Sequence, residues 1–271
     1  MAEINSKDVM KLRNQTGLPM MACKAALEKS GGDFEKAEEL LRKELKGKMD
    51  TRTDRAAGEG RVAIALSADR SAAALVEVRA ETDFTAKSEK FDAMMKKVVG
   101  EVLAGNAGVA AATPSITGAV DEVRISTGEN CSFARGEKLV GAPGAFAFYV
   151  HHDGKTASLV QAKAALDEVV LKDVCMHVVA AVPRPQGLSA AEVPAAIVEK
   201  ERKFRIEQAM ESGKPKEIAE KMVEGGMRKF FEEVALLEQP FVKDPSKKIK
   251  DIVGGADKLV AFRRWAVGEG A

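Results

Sequence analysis

Two short stretches of this chain share one pattern. AALVEVRA, residues 73–80, and ASLVQAKA, residues 157–164, match at a constant offset: Ala73, Leu75, Val76, Arg79 and Ala80 pair with Ala157, Leu159, Val160, Lys163 and Ala164. Each copy follows an apolar run and a turn, RVAIALSADRS in the first and AFAFYVHHDGKT in the second. Alternation on both sides of an Asp-containing turn predicts a β-hairpin. Each hairpin leads into apolar residues at helical spacing. These are Phe91, Met94, Met95, Val98, Val99 and Val102 after the first, and Val170, Val174, His177, Val178 and Ala181 after the second, until PRPQG ends the pattern. Two strand–strand–helix units restrict the centre of the chain to an α+β fold, with helices against antiparallel sheet. The Met and Phe positions of these stripes are read as core.

Helices flank the repeat. Over residues 1–45, Ser6 is placed to cap a helix carrying Val9 and Leu12, which Gly17 stops. Pro19 suits the first turn of a second helix with Cys23, Ala26 and Leu27 on one face. Asp33 caps a third, with Phe34, Ala37, Leu40 and Leu41. Three short helices of this size usually form a binding module. Residues 46–60, KGKMDTRTDRAAGEG, lack an apolar period and read as a linker. The core subdomains are expected at 61–145 and at 146–188 with 241–271. Within the first, LAGNAGVAAATPSITGAV is expected to loop, and DEVRISTGENCSFARGEKL to add an edge strand.

Between the two parts of the second subdomain, residues 189–240 predict a helical hairpin. SAAE from Ser189 to Glu192 has capping-box spacing, and an apolar seam follows at Ile197, Phe204 and Ile206. GKP turns the chain, Pro215 suits a first helical turn, and Ile218, Met222, Phe230, Val234 and Leu237 follow, interrupted by Gly225 and Gly226.

Charge and cysteine content narrow the function. Forty-two basic residues against forty-one acidic ones argue against nucleic-acid binding through bulk electrostatics. Cys23, Cys131 and Cys175 are far apart and odd in number, which suits reduced thiols in a cytosol. MAEINSKDVM has neither signal-peptide nor transit-peptide character, and no stretch approaches the ~20 apolar residues of a membrane span. A cytoplasmic protein without membrane contact is expected.

No catalytic, cofactor or metal signature emerges. SGKPKE fails as a phosphate loop, because the upstream Gly is absent and Pro215 stands where Ser or Thr would hold Mg²⁺. His151 and His152, adjacent in a strand, are expected to point to opposite faces as an exposed pair, and His177 to be a satisfied core histidine. No nucleophile elbow, HExxH or paired carboxylate site is present, so no enzyme is expected. Thr82-Asp83-Phe84, between a strand end and a helix start, has two readings. Asp83 or Thr82 caps the helix while Phe84 packs back into the core, or the turn is a probe aimed at another molecule.

Four separated motifs carry a resemblance: LRNQTGLPMMACKAALEKSGGDFEKAEELLRK, VEVRAETDFTAKSEKF, MESGKPKEIAEKMVEGGMRKFFEEVALLEQPFVKDPSK and VGEG, in that order. The chain resembles the elongation factor Ts family, guanine nucleotide exchange factors for elongation factor Tu, over essentially its whole length. The resemblance implies a three-helix domain like a ubiquitin-associated fold, two related core subdomains, and a coiled-coil-like hairpin that self-associates in some members. It implies that Thr82, Asp83, Phe84 and Thr85 approach the partner's nucleotide site and help dislodge Mg²⁺. It further implies partner contacts by Arg13, Met20, Met21 and His151. Thr85 stands where the family usually has Val, and the HHDGK turn leaves His152 as the alternative to His151. Longer members continue past VGEG into a helix that reaches the partner, so affinity from such a helix is not expected here. The rival reading is a scaffold that binds a translation partner without changing nucleotide exchange.

Overall fold

A computed structural model describes residues 4–211, 213 and 215–270. They form two compact units. One comprises the chain up to Ala65, Ala74–Lys138 and the segment from Val267; the other comprises Leu66–Ala73 and Leu139–Ala266.

The first unit opens with α1 (Ser6–Thr16), α2 (Met20–Lys29) and α3 (Phe34–Asp50). The cap of α1 is Asn5, not Ser6: its Oδ1 accepts the Asp8 N–H at 2.9 Å. Gly17, at φ 69°, ends α1 in the left-handed region that glycine adopts without strain. Pro19 precedes α2 at the cap position, and Asp33 caps α3 by accepting the Lys36 N–H at 3.1 Å. Val9, Leu12, Cys23, Ala26, Leu27, Ala37 and Leu41 close a small core.

The segment expected as a linker is ordered for most of its length. Helix α3 continues to Asp50 with Met49 only 4 % exposed. Beyond it, Arg52 donates to the Gly128 carbonyl, and Asn130 Nδ2 donates to the carbonyls of Thr53 and Arg55. These anchors are polar, so no apolar period announces them.

Strands β1 (Glu59–Leu66) and β2 (Ala72–Ala80) are joined by residues 67–71, too short a connection for anything but an antiparallel pair. Asp69 organises that turn by accepting from Ser67 Oγ and the Ser71 N–H. Then come α4 (Asp83–Ala86), α5 (Glu89–Ala104), β3 (Gly108–Ala110), α6 (Pro114–Thr127) and β4 (Cys131–Val140). The sheet order is β1-β2-β4-β3. All six expected positions of the α5 stripe are buried, and they pack with Ala74, Val76, Val78 and Ala80 of β2.

Two expectations fail in this unit. The expected loop over 103–120 contains β3 and the first half of α6, where Ile116, Ala119 and Val120 are buried. Thr113 Oγ1 caps α6 by accepting the Ile116 N–H, with Pro114 at the first position. Gly118 and the Ala/Thr-rich composition hid a short helical period. The expected edge strand, β4, lies inside the sheet between β2 and β3.

The second unit repeats the hairpin and helix. Strands β5 (Phe146–Val150) and β6 (Thr156–Ala162) pair antiparallel, with Phe148 opposite Leu159, and α7 (Glu168–Ala180) follows. Leu171, Val174, Cys175 and Val178 of α7 bury against Ala147, Val160 and Ala162.

Ser189 caps only a 3-10 turn, Ala190–Glu192, and its hydroxyl bonds the Glu192 side chain rather than the backbone. The helix proper, α8 (Ala195–Glu211), starts after Pro194. Ser212 and Lys214, in the expected turn, lie outside the described residues. Helix α9 (Lys216–Val234) runs unbroken through Gly225 and Gly226. A Cβ on Gly226 would lie 3.1 Å from Arg205 Cδ, so a glycine there permits close approach of α8 rather than a break. Ala209, Val223, Met227, Phe230 and Val234 are the packed face. Phe204, Ile206, Ile218 and Met222 of the expected seams are exposed, and Leu237 belongs to the 3-10 turn Leu236–Glu238. Strands β7 (Pro240–Phe241) and β8 (Asp244–Lys248), helix α10 (Ile249–Ile252) and strand β9 (Leu259–Ala266) complete the unit, with β9 pairing antiparallel to β6.

Candidate functional site

Strand β2 ends at Ala80, and the chain enters the four-residue helix α4. Thr82 is the cap: its Oγ1 accepts the Thr85 N–H at 3.3 Å. The same hydroxyl donates to Glu129 Oε1 at 2.7 Å, and the Thr82 N–H donates to Glu129 Oε2 at 3.1 Å. Asp83 is the first helical residue rather than the cap, and its carboxylate accepts from Lys87 Nζ at 2.7 Å. Thr85 and Ala86 turn inward, 5 % and 3 % exposed. Phe84 does the reverse. It is 84 % exposed, which removes the reading in which it packs into the local core.

That exposure is not the looseness of a frayed loop. Ser88 caps α5 directly after α4 by accepting the Phe91 N–H, and Phe91 is fully buried. The aromatic ring therefore stands on a short turn whose inner side chains and base are fixed. Thr85, the last residue of the Thr82–Thr85 stretch, faces the protein's own interior.

On the N-terminal helices, Met20 and Met21 are 42 % and 74 % exposed at the start of α2, and Arg13 is exposed on α1. A Cβ on Gly17 would meet Lys90 Nζ at 2.6 Å, so the turn between α1 and α2 rests beside the start of α5. These residues and residues 82–85 belong to the first unit, and His151 to the second.

His151 follows β5, where its N–H closes the turn on the Thr156 carbonyl at 2.8 Å. Its ring lies 4.2 Å from that of His152, and its Nδ1 is 3.2 Å from Asp153 Oδ1. The two rings are thus side by side, not on opposite faces, because the turn has already replaced strand alternation. His177 is 1 % exposed and hydrogen-bonded at both ring nitrogens, as expected of a core histidine. Among the described residues no cluster of three or more His, Cys, Asp or Glu is arranged to hold a metal ion, and no helix is long and apolar enough to cross a membrane.

Sequence reasoning missed Glu129 and its neighbour Asn130. They follow α6 in a stretch read as edge strand, and nothing local to them points to a turn 47 residues earlier in the chain.

The family model described as Elongation factor TS matches residues 81–269. Elongation factor Ts of Thioalkalivibrio sulfidiphilus (strain HL-EbGR7) is 41 % identical over 275 residues, which cover 98 % of this chain and 93 % of that protein. The chain belongs to the elongation factor Ts family. Elongation factor Ts of Burkholderia mallei (strain NCTC 10229) is 44 % identical over 278 residues, covering 100 % of this chain and 92 % of that protein. The family match opens at Glu81, next to the turn that carries Phe84, and extends past His151. Arg13, Met20 and Met21 precede it and fall within the full-length alignment to the Burkholderia elongation factor Ts.

Proposed function

We propose that this chain is a guanine nucleotide exchange factor of translation elongation, which binds GDP-bound elongation factor Tu, displaces Mg²⁺ and promotes GDP release and GTP loading. The observation that carries the reading is Phe84, 84 % exposed on a turn whose neighbours are buried or hydrogen-bonded. A large aromatic kept in water at a fixed position is suited to enter a partner.

The mechanism is linkage. A protein that binds the nucleotide-free GTPase better than the GDP-bound form weakens GDP binding by the same factor. Inverting a strongly biased two-state population takes about 5.5 kcal/mol of differential affinity. Full burial of a Phe contributes about 2 kcal/mol. Phe84 therefore supplies part of what is required, and the remainder falls to other contacts, for which Met20, Arg13 and His151 are the candidates, while Met21 is read as a docking contact. Asp83 brings a carboxylate beside the ring, and its surface pair with Lys87 is weak enough to exchange partners.

Stopped-flow release of a fluorescent GDP analogue from elongation factor Tu tests this. The chain is expected to accelerate release, and Asp83→Ala with Phe84→Ala to lose most of the acceleration. Binding without acceleration, insensitive to excess GDP, would overturn exchange in favour of a scaffold.

A further inference from the structure

Phe84 is held in place by residues far from it in the chain, and we propose that Glu129 is a positioning residue for it. The proposal rests on Phe84 being the partner-facing side chain. Both Glu129 carboxylate oxygens are committed to Thr82, one to its hydroxyl at 2.7 Å and the other to its N–H at 3.1 Å. The adjacent residue grips the adjacent position. The Asn130 N–H donates to Glu81 Oε1 at 2.7 Å, and Arg55 reaches Glu81 Oε2 at 3.4 Å. Asn130 is 6 % exposed, and its side-chain amide donates to the carbonyls of Thr53 and Arg55 at 3.1 and 2.8 Å. Upstream, Gly128 ends α6 at φ 74° and its carbonyl accepts from Arg52 at 2.9 Å. Residues 52–55, 81–82 and 128–130 are thereby closed into one polar knot, with Glu129 as its contact to the cap of α4.

The need for such a grip follows from the size of α4. A helix of one turn does not pay its nucleation cost alone. Its capping atom, Thr82 Oγ1, is oriented by the bond it donates to Glu129. Removing that acceptor frees the Thr82 rotor, loosens the cap and lets Phe84 sample positions from which it does not insert. The lost order must then be restored on binding, which lowers the effect of the complex rather than abolishing the fold. Because residues 52–55 continue directly from α3, the knot also sets the three N-terminal helices and Phe84 in one frame.

Two measurements on the full chain decide the matter. Hydrogen exchange of the amides in residues 82–85 is expected to speed up about tenfold in Glu129→Ala, with protection of α5 unchanged. Unchanged protection at 82–85 would overturn the proposal. In nucleotide release from elongation factor Tu, Glu129→Ala at saturation is expected to fall toward the rate of Phe84→Ala, and the double variant to be no slower than Phe84→Ala alone. Additive losses would mean general damage and overturn it. Thr82→Ser, which keeps the hydroxyl, is expected to retain wild-type release. If Glu129→Ala does not fold, Glu129→Gln takes its place in both measurements: it keeps the side chain's shape and can accept only one of the two Thr82 bonds, while leaving the Thr82 cap atom in place. If Phe84→Ala leaves release untouched, the exchange-factor reading of this turn fails, while amide exchange still decides whether Glu129 holds it.

Discussion

Glu77 Oε1 accepts the backbone N–H of Gly268 at 2.9 Å, joining the middle of β2 to the VGEG segment at the far end of the chain. The carboxylate is fully buried and also takes Arg79 Nε at 3.0 Å and Arg135 Nε at 2.7 Å. Gly268 and Gly270, at φ 84° and 71°, give that segment the left-handed turns it needs to present an N–H. The motif thus has a structural reason to be where it is.

Glu77→Ala is accordingly expected to destabilise the chain by about 3 kcal/mol, since it removes the buried acceptor that Arg79, Arg135 and the Gly268 N–H share. Glu77→Gln, which keeps one oxygen, should cost less. Urea denaturation followed by circular dichroism reads both, and a loss within experimental error for Glu77→Ala would show that the cluster is dispensable.

A second buried polar group makes stability depend on pH. The Val242 N–H donates to His177 Nδ1 at 3.3 Å, so Nε2 carries the hydrogen and donates to Gln239 Oε1 at 3.0 Å. Gln239 Nε2 in turn donates to the carbonyls of Pro183 and Glu233, which fixes the amide's orientation. Burial holds the His177 pKa below the ordinary 6.5. Below that value the unfolded chain takes up a proton that the folded chain resists, so stability is lost as pH falls. Between about pH 7 and about pH 5.5 the denaturation midpoint should drop in the wild type and drop less in His177→Gln. Parallel pH profiles would exclude His177 as the source.

What could be read from the sequence alone was periodic. The alternating strands and the α5 stripe announced two sheet-and-helix units because burial repeats every two or every 3.6 residues. Helix α6 escaped because Gly118 and small residues diluted its period. The end of α3 and the segment after it escaped because Lys46 and Arg124 hold the helix end, and Arg52 and Asn130 hold residues 52–55, through polar contacts. At the candidate site the limit was different in kind. Thr82-Asp83-Phe84 suits a cap and a probe equally well as a string of letters, and only the direction of the Phe84 side chain separates them. Glu129 is beyond reach of any local pattern, since its partner comes from a strand end elsewhere in the unit.

The cysteines offer a check on packing that does not involve the partner. Cys23, Cys131 and Cys175 are free and at most 2 % exposed. Burial pushes the thiols of Cys131 and Cys175 up to about 12, so at neutral pH they hold almost no thiolate, the reactive form. An aromatic disulfide reagent is expected to label none of the three in the native protein and all three in denaturant. Rapid native labelling of Cys175, whose Sγ donates to the Ala147 carbonyl at 3.2 Å, would mean that α7 does not pack on β5 as described.

Exposure also separates stability from partner binding on the N-terminal helices. Met21 is 74 % exposed, whereas Leu27, six residues further along α2, is fully buried. Replacing a solvated side chain removes few contacts of the folded state, so Met21→Ala should shift stability by no more than about 0.5 kcal/mol. Leu27→Ala opens a cavity in a small core and should cost about 3 kcal/mol. If Met21 contacts elongation factor Tu, its truncation weakens the complex by about 1 kcal/mol or more, read as a roughly fivefold rise in the concentration giving half-maximal GDP release. The maximal rate should hold, because a methionine that binds both nucleotide states alike contributes uniform affinity. A fall in the maximal rate with an unchanged half-maximal concentration would place Met21 in the step that expels nucleotide, beside Phe84, rather than in docking.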